Sequence, residues 1–247
     1  MKLLTFNLWD SPAGMPVRAE HIQETLRSIQ ADVLCLQEVP DRTTLQSIAD
    51  ICACPYSCFH PEAGTAVLSG ILQIAPWEHS CASAVCIPWK TFTLQVVSIH
   101  LPWNSARRRE CAIAEIVRLA AAQHADYTIL AGDFNCSDTS DVHRFLTGDC
   151  SLADTDAYYF DLALSRQAAT GIPAGNTLDF RHNPRWGTYE PENTIEIPQR
   201  FDRIYLSNPY PNPMPNLTDC RIFGTEIHSE TGLCPSDHYG VTADLQF

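Results

Sequence analysis

The sequence predicts an α/β fold in which two β-sheets pack face to face with helices on the outside. Three observations carry this expectation. The chain opens as strand, helix, strand, helix; a run of short β-prone segments follows, joined by Gly or Pro; and a second β-rich half brings helices of its own. Polar residues of a particular kind recur where the apolar strand runs stop.

In order, residues 2–6 form a strand ending at Asn7. Residues 17–30 carry Ile22, Thr25, Leu26 and Ile29 at i, i+3, i+4 and i+7, the stripe of an amphipathic helix. Val33-Leu34-Cys35-Leu36 reads as a buried strand ending at Gln37-Glu38, and Leu45, Ile48, Ala49 and Cys52 mark a second helix. Residues 64–69, 71–75, 82–87 and 91–99 read as a meander of antiparallel strands that delivers His100. A helix over 104–122 buries Ile113, Ile116, Val117 and Ala120, and its first turn holds Arg107, Arg108 and Arg109. Cations there oppose the helix dipole, so they are either a solvated turn balanced by Glu110 or an anion-binding patch beside His100.

Tyr127-Thr128-Ile129-Leu130 is a further buried strand, running into Ala131-Gly132-Asp133-Phe134-Asn135. Alternation along an extended chain places Asp133 and Asn135 on one side and Phe134 on the other. Residues 139–146 and 161–169 are expected to be helical, and 171–198 shows little periodicity. Residues 199–206 read as a strand containing Asp202, residues 217–227 as another, and Ser236-Asp237-His238 leads into a last strand over 239–245. With no internal repeat and no linker, one domain over 1–247 is expected.

Composition narrows the function. At 45% hydrophobic and 18% charged residues the chain reads as an ordinary globule, with no run apolar enough to span a bilayer. A net charge of −13 argues against a broad nucleic-acid cradle but leaves room for a phosphate gripped at one point. The 11 cysteines are odd in number and scattered, and no signal peptide is read, so reduced thiols in a cytoplasmic protein are expected. Cys52, Cys54, Cys58 and His60 lie close together but lack the paired spacing of a zinc site. Asn135-Cys136-Ser137 fits a glycosylation pattern on a candidate site residue, which agrees with an intracellular location.

Thr5-Phe6-Asn7-Leu8-Trp9, Leu36-Gln37-Glu38-Val39, Ser98-Ile99-His100-Leu101, Gly132-Asp133-Phe134-Asn135, Phe201-Asp202-Arg203-Ile204 and Ser236-Asp237-His238 resemble, in order, the motifs of the endonuclease/exonuclease/phosphatase (DNase I-like) superfamily. The resemblance implies a four-layered α/β sandwich, two mostly antiparallel sheets flanked by helices, and hydrolysis of phosphate esters with Mg²⁺ or Mn²⁺. His100 with the downstream arginines, and Arg200 to Ile204, look most like the 5′-tyrosyl-DNA phosphodiesterase branch. Tyr189 stands near an aromatic substrate contact of that branch, which has tryptophan there and a Glu-Ser pair where this chain has Pro102-Trp103.

Chemistry and resemblance together suggest roles. Glu38 and Asp237 would hold the cation by oxygen. Asp133 would orient or deprotonate the attacking water, and Asn7 and Asn135 would donate to non-bridging oxygens. Asp202 would fix the tautomer of His238, which with His100 would stabilise charge on phosphorus. Trp103, Tyr189, Arg107 and Arg108 would hold a single-stranded nucleic-acid end on a monomeric enzyme. Alternatives are an abasic-site or other endonuclease, a sphingomyelinase-like hydrolase, a sugar or inositol phosphatase, or a silent relative that binds a phosphorylated ligand. Retention of Glu38, Asp133 and His238 favours an enzyme.

Overall fold

The computed structural model describes residues 1–187 and 195–247. The first half comprises β1 (Lys2–Asn7), α1 (Val17–Ile29), β2 (Val33–Gln37), α2 (Arg42–Ile51), β3 (Tyr56–His60), β4 (Thr65–Ser69), β5 (Ile74–His79), β6 (Ala82–Trp89) and β7 (Phe92–His100). The second comprises α3 (Ala106–Ala121), β8 (Tyr127–Asp133), α4 (Asp141–Leu146), β9 (Tyr159–Asp161), α5 (Leu162–Thr170), β10 (Asp202–Ser207), β11 (Asn216–Phe223) and β12 (Gly240–Gln246). They form two six-stranded sheets, ordered β11-β12-β1-β2-β4-β3 and β5-β6-β7-β8-β10-β9.

The strands that build the site are apolar on both faces because each is covered on both sides. Leu3, Val33, Cys35, Val96, Ile129, Ala131 and Ile204 point between the sheets. Their neighbours Leu4, Phe6, Leu34 and Leu36 pack beneath α1 and α2, and Val97, Ile99 and Leu130 pack beneath α3 and α4. The layers are therefore helix, sheet, sheet, helix, as expected. Each fully buried Leu, Ile or Val contributes roughly 1.5–3 kcal/mol relative to an exposed one. No helix among the described residues is long and apolar enough to cross a membrane.

The meander expected over 64–99 is corrected. β4 lies in the first sheet, antiparallel to β2 and β3, whereas β5, β6 and β7 belong to the second. Local pattern cannot tell a hairpin from a crossing between stacked sheets. β3 and the three-residue β9 are absent from the sequence reading because neither carries a long apolar run. β5 is displaced to Ile74–His79, an exposed edge strand with a register irregularity, and β11 stops at Phe223. All eleven cysteines are free thiols. Burial pushes the Cys54 and Cys58 thiols up to about 11, and Cys58 faces the sandwich core, which suits packing rather than zinc.

Each sheet contains one parallel pair, and those pairs place the site. β1 runs parallel to β2 with Asn7 opposite Gln37, and β7 runs parallel to β8 with His100 opposite Asp133. Parallel strands end side by side, so four polar termini share one rim. β10 enters antiparallel at the same rim, with Asp202 opposite Asp133. The inward rows turn polar as they approach it: Leu3, Thr5, Asn7 on β1 and Val96, Ser98, His100 on β7. Just below, Thr5 donates to Gln37 (3.1 Å) and Gln37 to Ser98 (3.0 Å), stitching the two sheets together. Gly132 makes the approach of β7 and β8 feasible: at φ +155°, a Cβ there would lie 1.9 Å from the Ile99 carbonyl oxygen.

Candidate active site

Asn7 is buried, and its side-chain amide joins the two sheets. Nδ2 donates to Glu38 Oε1 (3.0 Å) and to Asp133 Oδ2 (3.3 Å), while Oδ1 accepts from the Trp9 N–H (2.9 Å). Glu38 directly follows β2 in a left-handed conformation (φ 52°), and its Oε2 accepts from the Asp10 N–H at 2.9 Å. Asn135, two residues after the end of β8, is also left-handed (φ 48°). Its N–H donates to Asp133 Oδ1 (2.8 Å), and its Nδ2 donates to Asp133 Oδ2 (3.2 Å) and to the Leu101 carbonyl (2.9 Å). Asp133 and Asn135 thus meet through a tight turn rather than by strand alternation. Asn7 and Asn135, expected to donate to phosphate, here give their amide N–H groups to Glu38, Asp133 and the Leu101 carbonyl.

Opposite these residues stands the segment 235–238, which has no strand partner among the described residues. Its three successive carbonyls accept from side chains instead: Pro235 from Arg18 (3.1 Å), Ser236 from Asn183 (2.9 Å) and Asp237 from the Trp186 indole (3.1 Å). This anchorage directs Asp237 and His238 at the cleft. His238 Nδ1 lies 2.9 Å from Asp202 Oδ2, leaving Nε2 as the nitrogen for a ligand. Burial opposes charge on His238, but Asp202, Asp133 and Asp237 outweigh it and push the imidazolium pKa up to about 10. His100 Nε2 lies 3.7 Å from Asp133 Oδ2 and 3.9 Å from Glu38 Oε1.

Asp202 is held in place by Thr177, and its chain neighbours Arg200 and Arg203 by ion pairs. Thr177 Oγ1 accepts from the Phe201 and Asp202 N–H groups, each at 3.0 Å. Arg200 meets Asp138 (2.7 Å) and Asp161 (2.8 Å), and the buried Arg203 meets Asp138 (2.8 Å). Burial raises the Asp138 carboxyl, yet Arg200 and Arg203 more than offset it and hold it below the usual range.

Glu38, His100, Asp133, Asn135, Asp237 and His238 all line one cleft of about 940 Å³. Trp103, 77% exposed, also lines it, together with Phe180, Trp186, Phe201 and Ile197. Arg107 and Arg108 are not brought there; they line a separate cavity beside His79 and Glu115. Successive helical residues diverge by about 100°, and the arginine that faces the cleft is Arg109, bonded to the Pro102 and Trp103 carbonyls. Tyr189 lies outside the described residues. Sequence reasoning missed Arg18, Asn183 and Trp186, whose contacts join distant segments, and within the arginine run it chose Arg107 and Arg108 over Arg109.

The carboxylates fit a hard cation. Burial, then the charges of Glu38 and Asp133, raise the Asp237 pKa to about 6 against the pull of His238 and Arg185. Crowded oxygens of like charge are relieved by a divalent ion and offer nothing to a soft one. Among the described residues, Asp133, Asp202 and His238 also bring potential ligand atoms within 4.8 Å of one another. There, however, His238 Nδ1 is taken by Asp202, and a cationic imidazole repels metal.

Three solved structures share this arrangement of strands and helices. Against D. rerio TDP2 (a 5′-tyrosyl-DNA phosphodiesterase) complexed with single strand DNA product, the TM-score is 0.74 at 16% identity over 100% of this chain and 99% of that one. Against truncated Caenorhabditis elegans TDP2 it is 0.72 at 18% identity, covering 100% and 97%. Against beta toxin 275-280 from Staphylococcus aureus it is 0.69 at 14% identity, covering 99% and 99%. At such identities the likeness speaks for the fold. No curated protein matches by sequence. The family model of the Endonuclease/Exonuclease/phosphatase family aligns with residues 4–238, from the strand that ends in Asn7 to the histidine paired with Asp202, and the chain belongs to that family.

Proposed function

We propose that this protein is a Mg²⁺- or Mn²⁺-dependent phosphodiesterase acting on nucleic-acid ends, in the manner of a 5′-tyrosyl-DNA phosphodiesterase. The observation that carries the reading is the His238–Asp202 pair at 2.9 Å, facing Glu38 and Asp133 across one cleft. Glu38 and Asp237 would hold the cation. When bound, the cation supplies polarisation of a phosphoryl oxygen and neutralises charge on the leaving group. Asp133, locked by Asn7 and Asn135, orients the attacking water and accepts its proton. His238 donates from Nε2 to a non-bridging oxygen as charge accumulates there, with His100 as a second donor. Asn7 and Asn135 act through Asp133 rather than on phosphate.

The walls of the cleft support a short single-stranded end as substrate. Trp103 and Phe180, Trp186 and Phe201 offer stacking surfaces, worth roughly 1–3 kcal/mol per base. A single cleft arginine and a net charge of −13 leave little to hold a long duplex. D. rerio TDP2, solved with single strand DNA product, is a structural neighbour of this chain. Exposed Trp103 and Ile197 at the cleft favour a sphingomyelinase-like reading as the second.

A substrate panel tests both. A 5′-tyrosyl single-stranded oligonucleotide, a long duplex, an abasic duplex, sphingomyelin vesicles and an inositol phosphate are each assayed with Mg²⁺, Mn²⁺ or EDTA. Metal-dependent turnover led by the blocked single strand is the expected result. Full turnover after exhaustive chelation, or preference for vesicles or a sugar phosphate, would overturn it.

A further inference from the structure

We propose that Arg18 is a positioning residue for the cation site, its guanidinium tying the loop that holds Glu38 to the segment that carries Asp237. The inference rests on the reading above, that Glu38 and Asp237 hold a divalent ion. Arg18 sits in the first turn of α1 and is wholly buried. Its five donors all go to backbone carbonyls. Nε reaches Ala13 (2.8 Å), Nη1 reaches Leu8 (3.0 Å) and Pro235 (3.1 Å), and Nη2 reaches Trp9 (3.0 Å) and Ser11 (2.6 Å).

A buried charge is costly unless its hydrogen bonds are satisfied, and here five carbonyl dipoles satisfy all of them without a carboxylate. The acceptors fall in two groups. Four belong to residues 8–13, the loop in which the Asp10 N–H donates to Glu38 Oε2 at 2.9 Å. The fifth is Pro235, two residues before Asp237 and 217 residues from Arg18 in sequence. The Trp9 ring covers the guanidinium, with its centroid 4.4 Å from Cζ. One planar fork therefore sets the separation of the two segments that supply the proposed cation ligands. Lysine, with three donors on one atom, cannot span both.

The sign of the effect separates positioning from simple charge. A buried cation near Glu38 and Asp237 repels a bound metal, so if Arg18 acted only through its field, removing the charge would tighten metal binding. If it positions the two segments, removal loosens binding. The experiment measures Mn²⁺ binding by electron paramagnetic resonance titration, and amide hydrogen exchange without metal, in wild type, Arg18→Lys and Arg18→Gln.

Both variants should bind Mn²⁺ about 10–100-fold more weakly, the range for groups that orient metal ligands. Residues 8–11 and 236–238 should exchange faster in both, while the centre of β1 stays protected. Equal or tighter Mn²⁺ binding by Arg18→Gln, or unchanged exchange at 236–238, would overturn the inference. Should neither variant fold, wild-type exchange decides: opening of the two segments with one common free energy supports the tie, and independent opening refutes it. A wild type that binds no Mn²⁺ overturns the functional reading and the role of Arg18 with it; wild-type binding that both variants match removes only the role of Arg18.

Discussion

Asn7, at the end of β1, donates from Nδ2 to Oδ2 of Asp133, at the end of β8, 3.3 Å away and 126 residues along the chain. The same nitrogen holds Glu38 at 3.0 Å, so one neutral amide bridges the two sheets and fixes two carboxylates relative to each other. Asn7→Ala leaves both with fewer partners. The expected result is a loss of about 10–100-fold in kcat/KM. Stability should fall by about 1–3 kcal/mol, because buried acceptors lose a donor. Steady-state kinetics and a denaturant titration check this, and undiminished activity would remove Asn7 from the site.

Replacing His238 by Ala should lower kcat by about 10²–10⁴-fold, the scale for a group that stabilises transition-state charge. Asp237 and Glu38 remain, so metal binding should change little. Single-turnover rates at saturating Mn²⁺, with the Mn²⁺ titration beside them, make the comparison. Lost metal affinity with normal chemistry would assign His238 to the wrong step.

Arg109 faces the cleft, whereas Arg107 and Arg108 line another cavity. Arg109→Ala should therefore raise KM for a short single-stranded oligonucleotide by about tenfold, the cost of one charged hydrogen bond. The Arg107/Arg108→Ala double variant should change it by about twofold or less, as expected of screened surface charges. The reverse ranking would restore the arginine pair as the phosphate contact.

His143 predicts a dependence of stability on pH. It is buried with Nδ1 2.7 Å from the Tyr205 hydroxyl. Burial first, then the Arg203 charge, hold its pKa below the ordinary 6.5. As pH falls through about 6.5 the unfolded chain takes up a proton that the native state refuses, so this stability is present above that pH and declines below it. In His143→Gln the slope of unfolding free energy against pH below about 6.5 should be shallower, by at most about 1.4 kcal/mol per pH unit. Parallel slopes in both proteins would refute it.

Asn7, Glu38, His100, Asp133 and Asp202 are legible from sequence because each ends, directly follows or begins a strand covered on both faces, and such strands print as apolar runs with sharp ends. Their residue types, in that order along the chain, were enough to indicate the family. The same logic missed β3 and β9, whose short mixed sequences become strands only when a neighbouring edge supplies hydrogen bonds.

The decisions left to the tertiary structure all depend on contacts between distant segments. In sequence Arg18 is one more charge at the start of an amphipathic helix; folding buries it because carbonyls from residues 8–13 and 235 converge on one point. Asn7 carries the same amide in any reading, but only the packed sheets bring Asp133 close enough to accept its N–H beside Glu38. The choice of Arg109 over its two neighbours is a rotation about a helix axis, set by where α3 docks. Local patterning encodes which residues stand at strand ends, because burial of a strand is a property of its own side chains. Which donor meets which acceptor is decided by the closing of two sheets, a property of the whole chain.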